Sequence, residues 1–237
     1  MAELERSFLG AWTAAGGSAF DIAALPAAGT VGVRVVIHHG LRDARTLDAY
    51  VAMIDTAQSH VYTVNGFPLI LEIQHALLRA LRRGVRVRTL FGNLTPTHGG
   101  TPFRGPWAAA RTEATQLVHS RMDELVAAGA EAYEFVVPEQ PGWEPGLGAI
   151  HPHVHAKLTS VDGRVCSVGS ANLDVTAGYW ENELVLIVED PPTAAALEAR
   201  VDRLLAQSQR VDPKDPEWQK LSKRREWMRR WPGVMSV

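Results

Sequence analysis

Within eighteen positions the chain gathers His155, Lys157, Asp162, Gly169, Ser170 and Asn172, spaced His-Ala-Lys-(four residues)-Asp-(six residues)-Gly-Ser-Ala-Asn. These residue types together can break a phosphodiester. An imidazole titrates near neutral pH, so His155 can attack phosphorus as a neutral nucleophile. Lys157 can offset charge on the phosphate oxygens. Ser170 and Asn172 add neutral donors to the same anion.

Two runs of strand character, Val154 to Val161 and Arg164 to Val168, must position that set. Between them stands Asp162-Gly163, a hairpin signal, because both central residues of a type I′ turn need φ > 0. A two-residue loop predicts Val161 opposite Arg164, Lys157 opposite Val168 and His155 opposite Ser170. Opposed residues share a face, so His155, Lys157 and Ser170 are expected to project together. Asp162, at the turn, points away from them and is assigned a structural role.

The stretch resembles the HKD motif of the phospholipase D superfamily, H-x-K-x4-D-x6-G-S-x-N, at every fixed position. The likeness covers roughly residues 5 to 210 and is closest to the C-terminal half of bacterial cardiolipin synthases. Ala80 to Leu90 looks like a helix-then-strand segment of those enzymes, Met122 to Phe135 like a second such unit, and Phe8 to Trp12 like their connector. Glu183 stands where the family has a downstream acidic residue, which implies that it bonds the catalytic His and fixes its tautomer. Thr176-Ala177 and Glu181 depart from the usual Arg-Ser and Asn, which bears on lipid specificity.

The resemblance implies catalysis by His155, Lys157 and Glu183, phosphate binding by Ser170 and Asn172, a structural part for Asp162 and Gly169, and no cofactor or metal. It also implies two motifs meeting across a two-fold axis, one His forming a phosphohistidine and the other protonating the leaving alcohol. In residues 1 to 150, His38, His39, His60, His75, His98 and His119 all lack a Lys two positions on. The expected complement is a homodimer mate or a separate chain supplying the second motif. A catalytically inert half-enzyme that only grips phosphate is the remaining alternative.

The elements alternate. Helical spacing marks 1–15, 47–58, 70–83, 112–128 and 194–208. Strand character marks 31–37, 60–64, 85–91, 132–137, the two motif runs and 183–188. Alternation predicts an α/β fold with a mixed, largely parallel sheet flanked by helices on both faces, the phospholipase D-like α-β-α sandwich that the resemblance also implies. Residues 1–30 are read as an N-terminal helix and connector, 31–210 as a single catalytic domain, and 211–237 as a basic, Trp-rich tail.

A net charge of −2 gives no global basic field, which weighs mildly against nucleic acid; that charge, the Trp-rich tail and the likeness to cardiolipin synthases together make phospholipid the favoured substrate and nucleic acid the less favoured one. Single-motif relatives include endonucleases, so a nucleic-acid phosphodiesterase remains the alternative. One cysteine, Cys166, excludes an internal disulfide. The start carries acids without an apolar core, and no run suits a membrane span. The expected location is therefore cytoplasmic, or peripheral to the membrane through the tail, where Trp218, Trp227 and Trp231 alternate with bases. The rival reading of that tail is a helix docked on the domain. Trp107 and Trp143, in two long loops, are read first as local packing and secondly as an apolar wall for lipid. His151, His153 and His155 recur at every second position, a pattern a divalent metal could use, but Pro152 interrupts the ladder and no Asp or Cys group supports it.

Overall fold

The computed structural model describes residues 2–23, 26, 28–92, 97, 98, 108–135 and 154–230. Its sheet has eight strands: β1 (Val33–His38), β2 (His60–Asn65), β3 (Arg86–Phe91), β4 (Glu131–Glu134), β5 (Leu158–Val161), β6 (Val165–Gly169), β7 (Glu183–Val188) and β8 (Gln209–Arg210), in the spatial order β1-β7-β6-β5-β2-β3-β4-β8. The helices are α1 (Ala2–Ala14), α2 (Arg45–Asp55), α3 (Leu71–Arg82), α4 (Ala108–Ala127), α5 (Val175–Tyr179), α6 (Pro191–Ala206), α7 (Pro216–Gln219) and α8 (Ser222–Arg230).

Both faces of the sheet are covered, because its central strands are apolar on both sides. On one face Val61, Val87, Phe91, Val161, Val185 and Ile187 meet Leu47, Tyr50, Met53 and Ile54 of α2, Ile73 and Leu77 of α3, and Val118, Met122 and Leu125 of α4. On the other, Tyr62, Val64, Leu90 and Leu158 meet Val201 and Leu205 of α6. The helices follow from spacing and punctuation. α2 buries Leu47, Tyr50, Met53 and Ile54, the i, i+3, i+6, i+7 stripe of an amphipathic helix. α3 stops at Gly84, whose φ of +83° suits glycine. α6 starts at Asp190, whose carboxylate accepts from the Thr193 N–H at 2.9 Å, with proline next in line.

The sheet is mixed, but its parallel share is smaller than the alternation of elements suggests. Among the described residues, only β2–β3 and β3–β4 pair in parallel. β1–β7, β7–β6, β6–β5, β5–β2 and β4–β8 are antiparallel. The reason lies after β4. β5 and β6 form a hairpin, and between β6 and β7 the only helix is the five-residue α5, too short to cross the sheet and return a parallel strand.

The hairpin register also differs from a two-residue loop. Asp162 and Gly163 do take positive φ, 57° and 60°, and the Arg164 N–H bonds the Val161 carbonyl at 3.0 Å. Yet Val161 pairs with Val165, leaving Arg164 as an extra loop residue. A one-residue slip moves every side chain to the other face. The observed register keeps Val161 and Val165 on the α2 side, against the main core. It is reinforced by Asp162, whose carboxylate accepts from the backbone N–H groups of Gln58, Ser59 and His60 at 2.8–2.9 Å and ties the turn to the start of β2.

Candidate active site

The slip decides how the motif is laid out. Leu158 pairs with Val168, so continuing one residue places Lys157 against Gly169, and two more place His155 against Ala171 rather than Ser170. Lys157 and His155 still share the α2 face. Ser170 does not reach the site by strand register. It follows the last residue of β6, where its N–H bonds the Leu184 carbonyl at 2.9 Å and its Oγ accepts from the Leu184 N–H at 3.0 Å. Held so, the Ser170 hydroxyl donates to Glu183 Oε2. Gly169 makes the approach possible: a Cβ there would lie 2.2 Å from the Leu184 carbonyl oxygen.

The structure thus brings Lys157, Ser170 and Glu183 together and sets His155 beside them. His155 is exposed, and its ring meets Phe67 edge-on at 6.4 Å between centroids. Lys157 Nζ donates to the His155 carbonyl at 3.0 Å, which fixes the spacing of the two motif residues. Burial lowers the Lys157 pKa, while the carboxylates of Glu183 and Asp174 oppose that fall. Glu183 is buried at the first position of β7, and burial pushes its carboxyl pKa up. The Ser170 bond opposes the rise, and Glu181 and Asp174 add to it. An easily neutralised carboxyl within electrostatic reach of the Lys157 cation suits proton handling.

Asn172 follows Ala171, and its Oδ1 is buried without a hydrogen-bond partner among the described residues. Asp162 stands at the far end of β5, away from this group. Burial would raise its pKa, but the amides of His60, Gln58 and Ser59 hold it below the usual carboxylate range.

Three further residues build the site, and sequence reasoning passed over them. Asn65, fully buried at the end of β2, donates to the Phe67 carbonyl at 2.8 Å and accepts from the Leu173 N–H at 3.2 Å. It holds the His155 neighbour and the motif's tail in one frame. Tyr50 of α2 donates to the Ala171 carbonyl at 3.2 Å. Asp174 caps α5, accepting from the Ala177 N–H and the Thr176 hydroxyl at 3.0 Å. The Asp174 signal was legible as a helix cap before Val175. Asn65 and Tyr50 act through long-range contacts that spacing does not show.

His151 and His153 lie outside the described residues, as do Trp107 and Trp143. Among the described residues no group of three His, Cys, Asp or Glu side chains is placed to hold a metal ion.

Comparison with known proteins bears on this geometry. The family described as "Cardiolipin synthase, PLD-like domain" matches residues 50–205. The chain belongs to that family. Cardiolipin synthase A of Salmonella arizonae and of Salmonella enteritidis are each 29% identical to it over 157 residues, which is 65% of this chain and 26% of the relative. The match therefore spans about a quarter of those proteins. Among solved structures, the phospholipase D family member Nuc from Salmonella typhimurium superposes with a TM-score of 0.55 at 16% identity, over 77% of this chain and 99% of that one. The phosphatidylserine synthase of Haemophilus influenzae superposes with a TM-score of 0.61 at 17% identity, over 91% of this chain and 50% of that one. At such identities the likeness is one of fold. Within the cardiolipin synthase, PLD-like family, the sheet of this chain is the phospholipase D α/β sandwich.

Proposed function

We propose that this chain cleaves or transfers the phosphodiester of a phospholipid through a phosphohistidine on His155. The observation that carries the reading is the gathering of Lys157, Ser170 and Glu183 beside an exposed His155 in a fold of the cardiolipin synthase family.

In this reading, neutral His155 attacks phosphorus and the P–O bond to the leaving alcohol breaks. The alcohol takes its proton from a second imidazole. Water or an acceptor alcohol then gives a proton back to that imidazole and displaces His155 from phosphorus. Lys157 neutralises the phosphoryl oxygens, Asn172 donates to them, Ser170 turns its hydroxyl from Glu183 to do the same when substrate binds, and Glu183 orients and balances the imidazole charge. The second imidazole comes from a two-fold mate or from another chain carrying the motif. The superposition on the whole of Nuc and on half of the phosphatidylserine synthase supports reading the chain as one such unit, with residues 31–210 as its catalytic part. Peripheral contact through the tail belongs to the same reading. Trp227 is 55% exposed beside exposed Lys223, Arg224 and Arg230.

The test is turnover of phosphatidylglycerol vesicles and of plasmid DNA by the purified protein and by His155→Ala, with acid-quench trapping of a phosphohistidine and the oligomeric mass measured on the active species. Lipid turnover falling at least about 10^4-fold in the variant is expected. Turnover of DNA alone moves the substrate to nucleic acid. A strictly monomeric species that turns over lipid removes the second imidazole from the mechanism.

A further inference from the structure

Leu41 is the most exposed large apolar side chain among the described residues, at 82%. It also has a φ of +62°, a conformation that bulky side chains rarely adopt and that glycine or asparagine would take at less cost. Solvent and backbone both argue against leucine there, so the position calls for a role outside the fold.

Its neighbourhood gives one. The Leu41 N–H bonds the Tyr179 carbonyl at 2.6 Å, and the Gly40 N–H bonds Asn182 Oδ1 at 3.2 Å. A Cβ at Gly40 would lie 2.1 Å from the Trp180 carbonyl oxygen, so the two loops are zipped backbone to backbone. Together they present Leu41, Trp180 (50% exposed) and the ring of Tyr179 (36%), whose hydroxyl donates to Glu72 at 2.6 Å, as one largely apolar rim. The rim adjoins the candidate site. Trp180 lies three residues before Glu183, and His38, three before Leu41, is the strand partner of Glu183.

We propose that Leu41, Tyr179 and Trp180 sink into the boundary layer of a phospholipid bilayer and seat the candidate site against its surface. The inference rests on the reading that the substrate is phospholipid, and it adds the surface that meets the bilayer. Size favours a bilayer over a second copy of the chain. A stable protein interface uses about 20–30 residues a side, whereas three side chains suit shallow insertion. Chemistry agrees: leucine suits the acyl layer, while tryptophan and tyrosine favour the headgroup boundary. Exposed Arg42 stands next to Leu41, while Arg45 is paired with Asp43 at 3.4 Å and exposed Glu181 follows Trp180, so insertion here rests on the apolar side chains, with Arg42 as the cation nearest to lipid phosphates.

Leu41→Gly provides a test that unfolding cannot mimic, because glycine relieves the backbone at φ +62°. Binding to vesicles of equal parts phosphatidylglycerol and phosphatidylcholine is measured by co-sedimentation for the unmodified full chain, Leu41→Gly, Trp180→Ser and Trp227→Ser. Short-chain, monomeric phosphatidylglycerol serves as the turnover substrate, with mass by light scattering. Leu41→Gly and Trp180→Ser are expected to weaken vesicle binding by about tenfold or more, at unchanged mass and unchanged turnover of the soluble lipid. Vesicle affinity in those two variants within twofold of the unmodified chain, absence of vesicle binding by the unmodified chain, or a change of mass on substitution would overturn the proposal. The last outcome would make the rim a protein contact. Rim-dependent vesicle binding without lipid turnover would leave the rim standing and sink the enzymatic reading instead.

Discussion

Ser170 donates its hydroxyl hydrogen to Glu183, a carboxylate whose charge the protein opposes. Burial raises the Glu183 pKa, and Glu181 and Asp174 add to it. The folded pKa is therefore above the unfolded one. Stability linked to this group is fully present while the carboxyl is protonated, below its unfolded pKa, and is lost as pH rises through the folded pKa. Glu183→Gln copies the protonated form and still accepts from Ser170. The variant is expected to gain about 1 kcal/mol at neutral pH, or roughly 2–4 °C in Tm. The gain should shrink in acid, while turnover falls by about 10^2-fold or more. Calorimetry of both proteins across the acid range checks the first part. A variant less stable than the parent at neutral pH would show that the charge is welcome after all.

Asp162 behaves in the opposite way. Its pKa is held low by backbone amides that outweigh its burial. A depressed carboxyl contributes stability above its unfolded pKa, and that stability is lost as pH falls through the folded pKa. Asp162→Asn leaves one acceptor oxygen for the amides of Gln58, Ser59 and His60 and turns an amino group toward them. A loss of about 2 kcal/mol at neutral pH is expected, narrowing in acid, seen as a drop of roughly 4–8 °C in Tm. Turnover measured well below Tm should stay within a factor of about three, since Asp162 only shapes the turn. A large fall in kcat with the fold intact would place Asp162 in the chemistry.

Lys157 gives a kinetic test. Burial lowers its pKa, so it loses its proton at lower pH than a free lysine. Lys157→Gln is expected to cut kcat/KM by about 10^2–10^3-fold on a soluble phosphodiester, with Tm unchanged. In the unmodified protein the basic limb of the pH profile should fall earlier than an ordinary lysine would allow. In Lys157→Arg that limb should move to higher pH. A basic limb that ignores this substitution would assign it to another group.

How legible was this in the residues? The motif, its spacing and the Asp162-Gly163 turn led to the right hairpin, because turn chemistry is local. The same turn misled the register by one residue. The extra loop residue, Arg164, is selected by burial of Val161 and Val165 and by the grip of Asp162 on β2, and both are long-range effects. Glu183 could be placed near the motif only through family likeness. In the structure it is the bond from Ser170 that ties it there. Strand pairing was the least legible part. The strands themselves are marked by apolar runs, but whether a neighbour runs parallel depends on the length of the helix between them, and the Asp174 cap marks where α5 starts without showing that it ends after five residues. Asn65 shows the same limit, since Phe67 is a local partner but Leu173 lies 108 positions away in the chain.

The tail was open to two readings, a docked helix or a membrane-facing one, and Trp218 and Arg225 are docked. Trp218 is buried under α4, donating to Asp123 at 2.9 Å, with its ring tilted against that of His119 at 4.6 Å between centroids. Arg225 is buried too, over the Trp218 ring at 4.4 Å and bonded to Asp123 at 2.8 Å, and Arg229 reaches the same carboxylate at 2.8 Å. Asp123 therefore joins Trp218, Arg225 and Arg229 and locks the segment to α4. Trp227, in the same helix as Arg225, is 55% exposed. Deleting residues 213–237 would strip α4 of its cover, so a fall in vesicle binding after truncation could come from damage alone. Point substitutions separate the two effects. Trp218→Ala is expected to cost at least about 3 kcal/mol, or 6 °C or more in Tm. Arg225→Ala should cost about 2–3 kcal/mol, because it removes a buried, paired cation. Trp227→Ser should leave Tm within about 1 °C while weakening binding to phosphatidylglycerol vesicles at low salt. If Trp227→Ser lowers Tm as much as Trp218→Ala does, the exposed face of α8 serves packing, and its membrane role falls away.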